Sequence, residues 1–348
     1  MPPPRLLALA VPLFPLAARL RAEPQLRDEA LAVTEGNGSA ARVVAATRPA
    51  RAAGVRPGLT LPQARALVPR LLARGRDPHA ESAAQEALLD AAGRFSPRVE
   101  DAGDGLTFLD LSGLAPRATP DPLAFERDLA LDLLRAADKD GLPARAGVAS
   151  SKRAARIASG LPRTPVVVPP GEEARFLAPL PVERLAPELS LSVALSRWGV
   201  RTAGDLARLP AAEVGTRLGE PGRRLHEAAR GLDPEPFVPR LPALAFTEGA
   251  SLDWPVVALE PFLAFVGAAL ERLVRRLASE TLGCARLELS LHLEPEGCDV
   301  RAIDLPGPTR DAKTLLSLLR QSLDARPPGA PVTGFVLAAH PDRPRRGQ

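Results

Sequence analysis

The residues best suited to chemistry in this chain are basic, and the chemistry is the binding of phosphate. Residues 145–149 read as a strand that feeds Ser150-Ser151-Lys152-Arg153, the start of a helix. A serine cap, free N–H groups and the helix dipole favour an anion there, and Lys152 adds a point charge. The competing reading is a solvated basic helix face. A glycine-bounded loop holds Arg48, Arg51 and Arg56. It suits a polyphosphate or a DNA backbone, or it is a set of surface arginines in an arginine-rich chain. Two turns, Gly199-Val200-Arg201-Thr202-Ala203-Gly204 and Gly219-Glu220-Pro221-Gly222, join short helices, and Arg223-Arg224 follow the second. Such turns can present backbone N–H groups to a phosphate without reading bases. Ordinary connections in a helical domain are the alternative.

Acids are the next group. Asp101, Asp104 and Asp110 are close in sequence, but two-metal phosphoryl transfer needs several carboxylates converging on ions roughly 4 Å apart. Asp104 is a natural turn residue, Asp110 falls near a strand end, and the apolar stretch 6–11 has no acid. His79, His226, His292 and His340 are scattered, and no Cys/His grouping has zinc-ligand spacing. Cys284 and Cys298 flank a hairpin turning at Pro295-Glu296-Gly297. That register sets Cys298 near Leu293, so a disulfide is not expected and the chain reads as cytoplasmic.

With 348 residues, 45% of them apolar, the chain can bury a sizeable core in two to four domains. The 45 Lys+Arg barely outnumber the 41 Asp+Glu, so a polyanion partner is compatible but not required. Lys139, Lys152 and Lys313 are the lysines. The arginine, alanine and proline bias reflects a GC-rich genome before it reflects a function. The N-terminus is proline-broken and too short to span a membrane. Arg5 before an apolar run and Ala17-Ala18 also fit a signal peptide. A strand buried on both faces at 6–11 is preferred.

The elements that must position these residues follow from pattern. A helix and a strand at 30–33 lie within 16–35, a strand at 41–46, and a short helix at 61–67. Helices span 78–94 and 123–137, the second with Leu123, Ala130, Leu131 and Leu134 on its apolar side. Between them a hairpin runs in at 98–101, turns at Gly103-Asp104-Gly105 and runs out at 106–111. Proline-rich 161–171 reads as a linker, followed by helices at 178–185, 189–197, 203–207, 211–218 and 222–229, and a second linker at 233–242. The last region orders as strand 246–252, helix 259–280, strand 287–293, strand 299–305, helix 311–323 and strand 332–338. Leu287, Leu289, Leu291 and Leu293 alternate with polar residues. The order is β-α-β-β-α-β, and 340–348 reads as a disordered tail.

These segments together resemble the Y-family (translesion) DNA polymerases over nearly the whole chain. ARVVAATRPARAAGVRPGL, 41–59, is similar to the fingers segment in which a Tyr and an Arg approach the triphosphate. Arg51 matches the Arg, and Arg48 stands at the Tyr position. GVASSKRAARIAS, 147–159, resembles the palm motif with a triphosphate-binding lysine, matched by Lys152. GVRTAGDLARL, 199–209, resembles the thumb's helix-hairpin-helix, and SPRVEDAGDGLTFLDLSG, 96–113, the segment with the family's Ser-Ile-Asp-Glu signature. The resemblance implies an α+β multidomain right hand. Palm would take 1–15 and 79–165, fingers 16–78, thumb 166–240, a β-α-β-β-α-β little finger 241–340, and a disordered tail 341–348.

The metal acids depart from the family pattern. Aligned on Leu13-Phe14, the family's Asp-x-Asp falls at Leu9 and Val11. Aligned on Leu109-Asp110-Leu111, the paired Asp-Glu falls at Gly105 and Leu106. A slip to Asp104 restores one acid only. This implies no bound metal or cofactor and resembles the non-catalytic, ImuB-like branch of the family. By that resemblance Arg48, Arg51 and Lys152 are nucleotide- or phosphate-binding remnants. Gly199, Val200, Thr202, Gly204, Gly219, Gly222, Arg223 and Arg224 would touch the primer–template backbone. The implied role is an adaptor in damage tolerance, without a membrane. Its implied partners are DNA, a RecA-like ImuA accessory protein, an error-prone replicative-type polymerase and the sliding clamp, although no Gln-x-x-Leu-x-Phe type clamp motif is found. The alternatives are an active DNA-directed DNA polymerase holding magnesium on Asp101, Asp104 and Asp110, and a protein-interaction module that does not touch DNA.

Overall fold

The computed structural model describes residues 3–116, 119–232, 235–241 and 246–343. In chain order the first elements are β1 (Leu6–Ala10), α1 (Phe14–Ala22), β2 (Leu31–Glu35), β3 (Arg42–Ala46), α2 (Arg48–Ala52), α3 (Leu61–Leu67), β4 (Leu72–Gly75) and α4 (Pro78–Gly93). Next come β5 (Val99–Gly103), β6 (Leu106–Asp110), α5 (Pro122–Lys139), β7 (Arg145–Ala149), α6 (Lys152–Ser159) and β8 (Val166–Val167). The helices α7 (Glu173–Leu177), α8 (Leu189–Arg197), α9 (Ala203–Ala207) and α10 (Ala211–Ala229) follow. The chain closes with β9 (Phe246–Val256), α11 (Leu259–Ser279), β10 (Gly283–Leu293), β11 (Cys298–Thr309), α12 (Ala312–Ala325) and β12 (Val332–Asp342). Two compact units divide these elements: Met1–Pro12, Ala91–Asp138 and Pro143–Arg240 in one, and Leu13–Asp90, Lys139–Leu142 and Leu241–Gln348 in the other.

The first unit is organised on a sheet in the order β5-β6-β1-β7-β8. The apolar run of β1 takes its centre, antiparallel to both β6 and β7. At the β5–β6 tip Asp104 and Gly105 have φ of 47° and 77°, the left-handed pair that a tight I′ hairpin turn requires. Helix α6 lies directly on β7: a Cβ on Gly147 would come within 2.4 Å of the Ala155 carbonyl and the Ser159 nitrogen. Gly147→Ala is therefore expected to destabilise this unit by roughly 2–3 kcal/mol through overpacking, read as a lowered urea midpoint at unchanged slope.

Several sequence expectations change here. The supposed linker at 161–171 contains β8, parallel to β7, and Val168 is buried in the sheet's core. Helix α5 buries Glu126, Ala130, Leu133 and Ala137 rather than the Leu123, Leu131 and Leu134 side. Glu126 is turned inward because Arg5 needs it: Arg5 Nε and Nη2 donate to its two carboxylate oxygens at 2.7 and 2.5 Å. Arg5 thus tethers the start of β1. The helix expected at 178–185 is reduced to one 3-10 turn at Val182–Leu185, and the helix α7 forms just before it, ending at Leu177. Pro179 and Pro181 remove the donors a longer helix would use. The helices expected at 211–218 and 222–229 join as α10 across a kink at Gly219, φ 65° and ψ −161°.

The second unit holds two sheets. In the first, ordered β3-β2-β4, β4 is a parallel partner of β2 that no periodicity announced. Leu16 of α1 packs with Leu31, Val33 and Ala45 on one face. Ala50 of α2, Val55 and Ala64 of α3 pack with Ala32, Val43 and Ala46 on the other. Thr60 and Gln63 form a reciprocal capping box at the start of α3. The second sheet is antiparallel, β11-β10-β12-β9, and Leu287, Leu289 and Leu291 turn into a core shared with α11 and α12. Cys298 pairs in register with His292, and both cysteines are free. Strand β12 continues through His340 to Asp342, where a tail was expected, because it pairs there with β10. Residues 344–348, and Asp233, Pro234 and Pro242 of the second linker, lie outside the described residues. No helix among the described residues is long and apolar enough to cross a membrane.

Candidate functional site

The β1–β6 pair brings the aligned acid positions to one end of the first unit's sheet. The Val11 N–H donates to the Gly105 carbonyl at 2.8 Å. Leu9 is opposite Thr107, and Ala10 opposite Leu106. Side chains alternate across a sheet, so Leu9 and Leu106 point to opposite faces. The position sharing Leu106's face is thus Ala10, one residue along from the sequence alignment. Ala10, Leu9, Val11, Gly105 and Leu106 offer no carboxylate. The nearby acids have other duties. Asp110 binds Arg98 at 2.6 Å and the Ser112 N–H at 2.8 Å. Asp101 accepts from the Gly103 N–H at 2.9 Å within the turn, and Asp104 forms the tip. Among the described residues no group of three or more His, Cys, Asp or Glu could hold a metal ion. The donor set on this sheet does not fit a magnesium pair.

Lys152 is on the same face as Phe108 and is only 4% exposed. Its Nζ donates to Glu100 Oε1 and to Glu235 Oε1, both at 2.5 Å, and to the Pro236 carbonyl at 3.2 Å. It lies 5.2 Å from the centre of the Phe108 ring. Glu100 is opposite Phe108 in the β5–β6 register, which aims its carboxylate at the lysine. Its second oxygen accepts the Val238 N–H at 2.8 Å. Phe237 packs on the cluster of Ala8, Phe108 and Ala154, and the Arg240 N–H donates to the Val99 carbonyl at 2.8 Å. Residues 235–240 therefore form a strap along β5 and over Lys152. Burial pulls the lysine's pKa down, but the hydrogen bonds and charges of Glu100 and Glu235 outweigh it and leave it raised.

The start of α6 has a built-in anion. The Glu173 carboxylate, buried, accepts the Ser150 and Gly171 N–H groups at 2.9 Å each. The Ser151 hydroxyl accepts the Ala154 N–H at 3.3 Å, and Arg5 Nη1 donates to the Ser150 hydroxyl at 3.2 Å. The groups read from sequence as a phosphate cradle are satisfied within the protein.

The helical turns behave alike. Gly199 and Val200 donate to the carbonyls of Ser196 and Leu195. Arg201 and Thr202 donate to the Asp205 carboxylate, while Ala203 and Gly204 donate to Leu180 and Ala178. The Thr202 N–H and hydroxyl and the Arg201 N–H hold the Asp205 carboxyl below its ordinary pKa, so a negative charge sits at this turn. Gly204 is there for space, because a Cβ would come within 2.9 Å of the Ala178 carbonyl. In the second turn Gly219 makes the kink and Gly222 packs against Leu218. Arg223 is paired with Glu220 and Glu227, and Arg224 with Glu220. Arg223 and Arg224 together drop the Glu220 carboxyl to about 2.

Arg48 and Arg51 lie in the other unit, exposed on α2. His226 is buried and its Nε2 is 3.0 Å from the Leu209 carbonyl. His79 and His292 stack at 4.5 Å. Sequence reasoning missed Glu100, Glu173, Glu235 and Phe237. A Val-Glu step leading into the hairpin was a weak signal for Glu100, and nothing local marked the rest.

Residues 10–160 match the impB/mucB/samB family (IMS). The chain is similar to Protein ImuB of Caulobacter vibrioides (strain NA1000 / CB15N), 32% identical over 277 residues, which are 79% of this chain and 59% of that protein. It is similar to DNA polymerase IV of Methanoculleus marisnigri, 28% identical over 312 residues, 87% of this chain and 84% of that protein. The chain thus spans less than two thirds of the length of the ImuB relative. Among solved structures, DinB from Sulfolobus solfataricus aligns with a TM-score of 0.57 at 17% identity, over 97% of this chain and 98% of that one. That likeness establishes a mixed α+β, polymerase-like fold.

Proposed function

We propose, from the premise that this chain belongs to the Y-family polymerase superfamily through its impB/mucB/samB domain, that it is a DNA-binding, catalytically inactive adaptor in translesion synthesis. The Lys152 cage carries this reading. A triphosphate needs a cation free to meet it, and the charge of Lys152 is already balanced by Glu100 and Glu235 under the 235–240 strap. The residue types at Ala10, Leu9, Val11, Gly105 and Leu106 support it further, because they cannot hold the ions that would activate a primer hydroxyl. What remains is a fold able to meet DNA by charge. An adaptor of this kind would work beside an error-prone replicative-type polymerase, a RecA-like ImuA protein and the sliding clamp, in keeping with the ImuB likeness.

Primer extension and DNA binding on one purified sample test the proposal. The expected result is primer–template binding that weakens steeply with salt, and no template-directed incorporation with magnesium or manganese. Incorporation abolished by Asp104→Ala would establish the active-polymerase alternative. Absence of binding at low salt would leave a protein-interaction module.

A further inference from the structure

We propose that the α2–α3 cover of the β3-β2-β4 sheet is a binding site for the phosphates of duplex nucleic acid. This rests on the DNA-binding reading above but moves the contact away from the Gly199–Gly204 turn, whose backbone donors are taken, and from Arg223 and Arg224, which are paired with acids. Between Glu35 and Asp77 the sequence has no acidic residue, yet it has Arg42, Arg48, Arg51, Arg56, Arg65 and Arg70. All six are exposed. Among the described residues none of them forms an ion pair, whereas the neighbouring Arg74 and Arg76 meet Asp253 and Glu81.

The fold gathers these six charges. Ala50, Val55 and Ala64 are buried beneath the cover, which leaves the arginines of α2 and α3 on its outer side. Carbonyl oxygens, not carboxylates, anchor two of them. Arg56 Nη1 donates to the Arg51 carbonyl at 2.5 Å, and Arg42 Nη1 to the Gly58 carbonyl at 2.9 Å. Anchoring of this type fixes a guanidinium without cancelling its charge. Like charges held together gather counterions, and a polyanion that displaces them binds by their release. Residues 36–76 also have no Phe, Trp, Tyr or His. Without a stacking platform the surface has little hold on a single strand's bases. A duplex, with its dense and regular phosphates, is the better ligand, bound without sequence preference.

Fluorescence anisotropy of the full chain with a labelled duplex of about 20 bp and the matching single strand, over a salt series, tests this. The triple variant R48S/R51S/R56S, checked for folding by circular dichroism, is expected to bind duplex at least about tenfold more weakly at low salt. Its slope of log affinity against log salt should be shallower by about 2–3. R223S/R224S, which removes charges already paired, is expected to bind nearly as the parent does. A triple variant with the parent's affinity and slope would overturn the proposal and leave DNA binding standing elsewhere. Preference for the single strand, or displacement of duplex by polyglutamate at matched charge, would also overturn it. A parent chain that binds no duplex at low salt would remove the DNA-binding reading itself.

Discussion

Lys152→Met is expected to cost the first unit about 3 kcal/mol of stability. A phosphate-binding lysine on a surface could be removed at little structural cost. Here removal leaves Glu100, 8% exposed, against the Phe108 ring with the Val238 N–H as its remaining partner. Breaking a buried pair by deleting one member strands the other charge, at about 3–5 kcal/mol. The lower end applies because the Glu235 side chain is 57% exposed and can turn to water. Urea unfolding measures the loss. Lys152→Met combined with Glu100→Gln should recover a large part of it, since the double change removes both charges. A single variant as stable as the parent would show that the cage is not structural. The raised pKa of Lys152 sets the pH behaviour. The pair's contribution is complete below the unfolded lysine value of about 10.4 and is lost as pH rises through the higher folded value. The pair therefore contributes in full near neutrality, and stability there should not vary with pH on account of this group.

Glu248→Gln in the second unit is expected to cost more, about 3–5 kcal/mol. Glu248 is fully buried on β9 and receives Arg21 Nη1 and Nη2 at 2.8 and 2.6 Å, Arg276 Nη1 at 2.8 Å and Arg272 Nε at 3.1 Å. Arg276 also pairs with Asp90 of α4. One carboxylate thus joins α1, β9 and α11, and the amide would leave several buried guanidinium groups without their shared counter-charge. Burial pushes the Glu248 carboxyl up, but the charges of Arg21, Arg276 and Arg272 outweigh it and hold it at about 2. A depressed folded pKa means stability present above the unfolded value of about 4.3 and lost as pH falls toward 2. Circular dichroism followed through acid titration should show the parent losing stability across that window. The variant, already weakened at pH 7, should lose less across it. Equal acid sensitivity in the two proteins would refute the role given to Glu248.

Much of the fold was legible because its signals are local. The short helix at 61–67, the Asp104-Gly105 tip and the alternation of Leu287, Leu289 and Leu291 each depend on signals within a few residues. The failures were also physical. Strands β4 and β8 are short, and each exists because a neighbour offers an edge in parallel register. The face of α5 was misread because Glu126, a charged residue, is its buried anchor to Arg5. At the candidate site, Lys152, Ser151 and the glycine turns were found as features, but their partners were not. A basic residue beside a helix start looks the same whether it meets a ligand or a distant glutamate of its own chain.

The sequence by itself determined which side chains exist, including those at the positions aligned with the family's metal acids. No folding can place a carboxylate at Gly105 or Leu106. It also determined the acid-free arginine stretch between Glu35 and Asp77. The tertiary structure alone decided which charges are free. Lys152 meets Glu235 across 83 residues, and Arg21 meets Glu248 across 227. Such pairs form only when packing brings remote elements within a few ångströms and excludes water between them. No pattern along the chain encodes that proximity, so the same sequence of basic residues reads as a set of phosphate sites until the fold shows which of them have been answered from within.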